Sequence, residues 1–205
     1  MSKSRSRRQA GHGGFTILEV LVAIFILTVG VVSVGALAGS MMTTGSRSKY
    51  LSLEASLASE KLEDLNRWPP DAPQVAVPSG TSVGSLTSDS LDTTTGIAYY
   101  DDVNINFANA TTDCPSSTGG CFAETVTTYS GGSNQYITTY HSPDGTITNA
   151  TSTTAPTNMT FHRRWVIEAN APVTGVRRLT VLVTLNSNVN VQPNNATFQM
   201  SVVRP

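Results

Sequence analysis

Residues 13–38 read GGFTILEVLVAIFILTVGVVSVGALA, an apolar run long enough to cross a bilayer, yet Glu19 stands near its start. Val20 to Ala38 alone gives 19 uncharged residues, the length a helix needs at about 1.5 Å per residue. The fourteen residues before Phe15 carry Lys3, Arg5, Arg7 and Arg8 and no acid. Basic residues ahead of a span keep the N-terminus in the cytoplasm and send the rest of the chain outward. A secretory signal also begins this way and then needs a small-residue cleavage site, which Ala36-Leu37-Ala38 formally supplies. That reading leaves the sequence before the span unexplained.

The basic charge belongs to the leader. Removing its four cations from the 13 in the chain leaves 9 basic against 14 acidic side chains, a formal charge of −5. Such a balance argues against a nucleic-acid surface held by phosphate contacts. With 13% charged residues and abundant Thr, Ser, Asn and Gly in the second half, the composition suggests an extracytoplasmic β-rich domain. Cys114 and Cys121 bracket CPSSTGGC, and in a secreted chain this arrangement points to one local disulfide, with two free thiols as the alternative. The three histidines (His12, His141, His162) are scattered and offer no metal-ligand spacing.

Gly13-Gly14-Phe15-Thr16-Ile17-Leu18-Glu19 resembles the processing site of type IV pilins and pseudopilins. The resemblance implies that a membrane prepilin peptidase cuts between Gly14 and Phe15 and that Phe15 becomes the N-methylated mature terminus. It also implies that Glu19 meets the terminal amine of a neighbouring subunit. An isolated carboxylate in hydrocarbon is costly, so joining it to an amine removes two penalties together and fixes axial register. The simpler alternative leaves Glu19 hydrated at the headgroup level, favoured by the helix dipole. Gly30, Gly35 and Gly39 permit close helix packing or loosen the helix; the sequence does not decide between them.

The helical pattern continues beyond the span. Leu51, Ala55, Ala58, Leu62 and Leu65 form an apolar stripe, with Glu54, Lys61, Glu63, Asp64 and Arg67 placed around it. Trp68-Pro69-Pro70 stops the helix. A helix from Phe15 to Arg67 would be on the order of 80 Å long. A short soluble coiled coil is the competing reading of its second half. The expected fold is α+β and pilin-like: leader 1–14, N-terminal helix 15–68 with a transmembrane first half, and an extracytoplasmic β-rich head 69–205.

In the head, residues 71–90 read as irregular connector and 146–158 as an exposed loop. Short strands are expected in 97–107, 122–129 and 135–140, and clearer ones at 161–169, 176–186 and 196–205. These predict a small antiparallel sheet of three or four strands with one face on the helix stripe. Arg163, Arg164 and Trp165, followed by Arg178 and residues 179–185, resemble minor pilins of the modification-protein type, although the chain has Leu185-Asn186 where such strands usually end in Trp. The opening ILEVLVA equally resembles minor pseudopilins of type II secretion.

No catalytic constellation stands out. Asp101-Asp102 reads as a turn or an acid pair, and His141-Ser142-Pro143-Asp144 as a loop. Arg163, Arg164, Arg177 and Arg178 read as the solvated face of adjacent strands, some paired with Glu168, rather than a phosphate-binding patch. Asn109, Asn149, Asn158 and Asn195 match N-x-S/T, as expected by chance in a Thr-rich chain. The expected function is structural: a minor subunit of a type IV pilus, processed by the peptidase, with no enzymatic activity and no cofactor. Its expected partners are other pilin and minor pilin subunits, through the N-terminal helix, and the peptidase. Its expected location is the bacterial inner membrane, then the periplasm and cell-surface pilus. The alternatives are a type II secretion pseudopilin and a pilus-tip adhesin or DNA-uptake pilin.

Overall fold

A computed structural model describes residues 16–78, 80–106, 121–142, 144–157, 159–186 and 197–205. One helix, α1 (Ile17–Arg67), runs for 51 residues without a proline. It is long and apolar enough in its first part to cross a membrane. There its hydroxyls turn inward: Thr28, Ser33, Ser40 and Thr44 donate to carbonyls three or four residues earlier. Such back-bonding satisfies polar side chains without water. The chain divides into two compact units, residues 1–44 and 45–205, and α1 contributes to both.

The second unit holds one antiparallel sheet. Its strands are β1 (Ser82–Gly84), β2 (Leu91–Asp92), β3 (Ile97–Asn106), β4 (Cys121–Ser130) and β5 (Ser133–His141). They continue with β6 (Ile147–Ser152), β7 (Phe161–Ala169), β8 (Arg177–Leu185) and β9 (Thr197–Arg204). The order is β6-β5-β4-β3-β7-β8-β9, with β1 paired to β7 and β2 to β3. The sheet is therefore larger than three or four strands. The supposed loop 146–158 contains β6, a Thr/Asn-rich edge strand whose lack of apolar alternation hid it. The connector 71–90 likewise contains β1, too short to show a period.

β4 and β5 join through Gly131-Gly132, both at positive φ, as a two-residue hairpin turn requires. At Gly84 (φ +81°) a Cβ would lie 2.2 Å from the Trp165 carbonyl, so only glycine lets β1 close onto β7.

Helix and sheet share one core. Leu57, Ala58, Leu62 and Leu65 of α1 are buried with Phe161, Trp165 and Ile167 of β7, Leu179, Val181 and Val183 of β8, and Tyr99 and Val103 of β3. Each large side chain enclosed in this way stabilises the fold by about 1.5–3 kcal/mol. The buried stripe on α1 also contains Glu54 and Lys61, both expected around the stripe rather than in it. Positions 54, 57, 58, 61, 62 and 65 fall on one helical face, so geometry encloses those two charged residues whatever their polarity.

Candidate functional site

Two regions concentrate functional chemistry: the start of α1 and a set of charges between α1 and the sheet. Gly14 and Phe15 lie outside the described residues. Immediately after them, Thr16 caps the helix. Its Oγ1 accepts from the Glu19 backbone N–H at 3.3 Å, and its carbonyl accepts from Glu19 and Val20 at 3.0 and 3.2 Å. Thr16-Ile17-Leu18-Glu19 has the spacing of a capping box, a signal for the helix start that the apolar run overshadows. Glu19 is thus fixed in the first turn, where the dipole favours an anion. It is exposed, and its carboxylate makes no hydrogen bond or ion pair among the described residues. The geometry leaves it free to receive a cation from elsewhere.

The second region is built by strand alternation. On β7, Phe161, Arg163, Trp165 and Ile167 all face the helix, so Arg163 is enclosed at 1% exposure. β3 sets Asp101 directly opposite, at 0% exposure. Arg163 Nε donates to Asp101 Oδ1 at 2.5 Å and Nη2 to Oδ2 at 2.8 Å. Lys61 Nζ, from α1, reaches Asp101 Oδ2 at 2.9 Å and lies 4.3 Å from the centre of the Trp165 ring. Glu124 of β4 pairs with Arg163 and lies 3.9 Å from Lys61 Nζ. Two cations and two anions therefore meet at the centre of the group, with Glu60 3.9 Å from Arg163 and Asp64 3.8 Å from Lys61 at its exposed rim. Burial works against the Asp101 carboxylate, but the Arg163 and Lys61 charges overcome it and hold its pKa well below the usual range. For Glu124 burial wins over Arg163, and its pKa is raised.

The next residues on the same strands face the other way. His162 Nδ1 lies 2.6 Å from Asp102 Oδ1 and Nε2 lies 2.8 Å from Asp89 Oδ1, while Arg164 Nε donates to the same Asp89 oxygen at 2.7 Å. Burial opposes a charged imidazole here, but the hydrogen bonds and charges of Asp102 and Asp89 raise its pKa above 6.5. Asp101-Asp102 is thus neither a turn nor an acid pair. Its two side chains serve opposite faces of β3.

The four arginines do not form a solvated row. Arg163 is a core residue, Arg164 holds Asp89, and Arg177 donates to the carbonyls of Pro70 and Val75. Arg178 makes a two-point pair with Glu168, at 2.6 and 2.9 Å, as expected for one of the four. Arg204 donates to Asn66 O at 3.2 Å and Trp68 O at 2.9 Å, closing the end of α1. Sequence reading missed that cap, since nothing local links residue 204 to residue 68.

Asp144 Oδ1 accepts from the Thr146 N–H at 2.9 Å and Ser142 O from the Gly145 N–H at 3.0 Å, just beyond His141 at the end of β5, where a loop was expected; Pro143 lies outside the described residues. Cys114 lies outside the described residues, and only the backbone of Cys121 is described, as the first residue of β4. No cluster of three His, Cys, Asp or Glu suited to a metal occurs among the described residues.

Residues 9–35 match the family model of the prokaryotic N-terminal methylation motif, which marks type IV prepilin-like proteins. The match spans Gly14, Phe15 and Glu19 and runs into the apolar helix. No curated protein and no solved structure matches the chain.

Proposed function

We propose that this chain is a minor type IV pilin of the modification-protein group, a structural subunit that takes part in pilus assembly or its priming. Prepilin peptidase cleaves it between Gly14 and Phe15, and Phe15 is N-methylated. The N-terminal helix, residues 15–68, anchors it in the inner membrane with its start towards the cytoplasm, and the head, residues 69–205, lies outside. In the filament Glu19 pairs with the Phe15 amine of a neighbouring subunit. Cys114 and Cys121 close a disulfide loop ahead of β4.

One observation carries this reading: the methylation motif at 9–35 runs into a Thr16-capped apolar helix whose first turn presents a Glu19 carboxylate with no partner among the described residues. A helix that merely crosses a membrane needs no such carboxylate, whereas a helix that must register against its neighbours gains from one.

Mass spectrometry of sheared surface filaments, beside the membrane fraction, tests the assignment. A methylated Phe15 terminus in the filaments supports a pilus subunit. The same terminus confined to the membrane transfers the protein to a secretion pseudopilus or a priming complex. An intact Met1 terminus, or cleavage after Ala38, sinks the reading.

A further inference from the structure

A closed-off carboxyl stands on the face of α1 that meets the sheet. Glu54 is 0% exposed, and among the described residues neither of its carboxyl oxygens has a hydrogen-bond partner. It shares the stripe of Leu57, Ala58, Lys61 and Leu65, so it cannot reach water unless the helix turns or lifts from the sheet.

The charged groups facing the helix from the sheet are engaged elsewhere. Asp101 of β3, Glu124 of β4 and Arg163 of β7 hold one another and Lys61. Arg204 of β9 is spent on the end of α1. On the helix itself, Tyr50 lies one turn before Glu54 and packs its ring 6.2 Å from that of Phe161, while Lys61 lies two turns after it. An ionised carboxylate enclosed without a partner is so costly that the group takes up a proton instead.

We propose that Glu54 is held as the neutral acid in the folded head, and that loss of its proton releases α1 from the sheet, making this contact proton-controlled. When the helix lifts, the O–H bond breaks to solvent base, and the hydrated carboxylate cannot return to the closed interface without taking the proton back. Burial raises the Glu54 pKa from 4.5 to about 7. Because the folded value is the higher one, the stabilisation is complete below about 4.5 and is lost as pH rises through about 7. A glutamine would fill the same space without titrating. The inference is independent of the assembly role proposed above, because it concerns the head's own core.

Amide hydrogen exchange on the full chain in detergent micelles tests it, after correction for the intrinsic rate at each pH. An H162Q background removes the histidine that titrates nearby in pH. Between about pH 5 and about pH 8.5, the opening constant of amides at 54–62 should rise by roughly two powers of ten, since each unit of pKa displacement is worth a factor of ten. In E54Q the same amides should lose most of that pH dependence, the remainder coming from Glu124, the other carboxyl facing α1 whose pKa is raised. Equal pH dependence with and without E54Q overturns the proposal. Should E54Q fail to fold, difference infrared spectroscopy of the unsubstituted protein with 13C-labelled glutamate gives an independent reading. A protonated carboxyl band that fades in step with helix protection as pH rises supports the proposal. Absence of that band at about pH 5.5, where an ordinary Glu has already ionised, overturns it.

Discussion

Asp101 and Arg163 face each other across β3 and β7 in a two-point ion pair, at 2.5 and 2.8 Å, with both side chains shut away from water. Lys61 ties the same carboxylate to α1 at 2.9 Å, so a single Asp side chain joins two strands and the helix. A buried pair of this kind is a weak source of net stability, because desolvation offsets most of the attraction. Its effect lies in register. A one-residue slip of β3 against β7 would turn Asp101 outward, away from both Arg163 and Lys61, and set Tyr100 or Asp102 opposite Arg163 in its place.

Removing one member of this group should therefore cost far more than removing the group together. Asp101→Ala is expected to destabilise the head by about 3–5 kcal/mol, since it removes the one fully buried anion and leaves Arg163 and Lys61 to share the partly exposed Glu124. A fourfold replacement, Asp101→Leu with Arg163→Met, Lys61→Met and Glu124→Gln, should recover most of that loss. Denaturant unfolding of the three proteins in micelles gives the comparison. If the fourfold variant is no better than Asp101→Ala, the cost comes from packing rather than from unpaired charge.

His162 gives a pH dependence of known sign. Its folded-state pKa lies above 6.5, because Asp102 and Asp89 together outweigh its burial. The contribution is full below about 6.5 and disappears as pH rises through the raised value. Asp89 belongs to the segment between β1 and β2, so loss of the imidazolium should loosen that segment first. Histidine NMR titration, together with proteolysis near residue 89 at about pH 6 and about pH 8.5, checks both halves. His162→Gln should show the high-pH susceptibility at both values.

Arg204 is expected to govern the end of α1. It supplies N–H donors to carbonyls that the last helical turn leaves open, and its cation favours the negative end of the dipole. Arg204→Ala should cost about 1 kcal/mol and raise hydrogen exchange at residues 63–67 while leaving β3 and β4 unchanged. Uniform loss of protection across the sheet would instead assign Arg204 to the core.

The long helix and most of the sheet were legible because their signals are local. The apolar run with its proline stop gave α1, and FHRRWVIEA at 161–169 coincides with β7. The burial of Arg163, expected on the solvated face, was written there too, since strict alternation places it between Phe161 and Trp165 on one face. What stayed hidden depends on pairing between distant segments. β6 forms because β5 offers an edge, and Asp101 stays charged because Arg163 and Lys61 arrive from elsewhere. Charged residues on a helix look like the border of an apolar stripe until a sheet covers them, which is why Glu54 and Lys61 were placed around the stripe and not within it.

The start of α1 offers the sharpest separation of processing from assembly. Gly14 is proposed to sit at the scissile bond, so replacement by a bulky residue should leave the leader attached, visible as a heavier band in membranes. Glu19 lies in the capped first turn, beyond that bond, and its carboxylate has no partner within the described residues. Glu19→Ala should therefore be cleaved normally, since Thr16 still caps the helix. It should also remain in the membrane, because the apolar run is only lengthened. What it loses is a charge for the neighbour's Phe15 amine, which then stays buried and unpaired in the filament. Sheared filaments should contain several-fold less of the variant than of the unsubstituted chain, with equal amounts in membranes. Normal incorporation of Glu19→Ala would remove the pairing from the account and leave its carboxylate as a hydrated companion of the helix dipole.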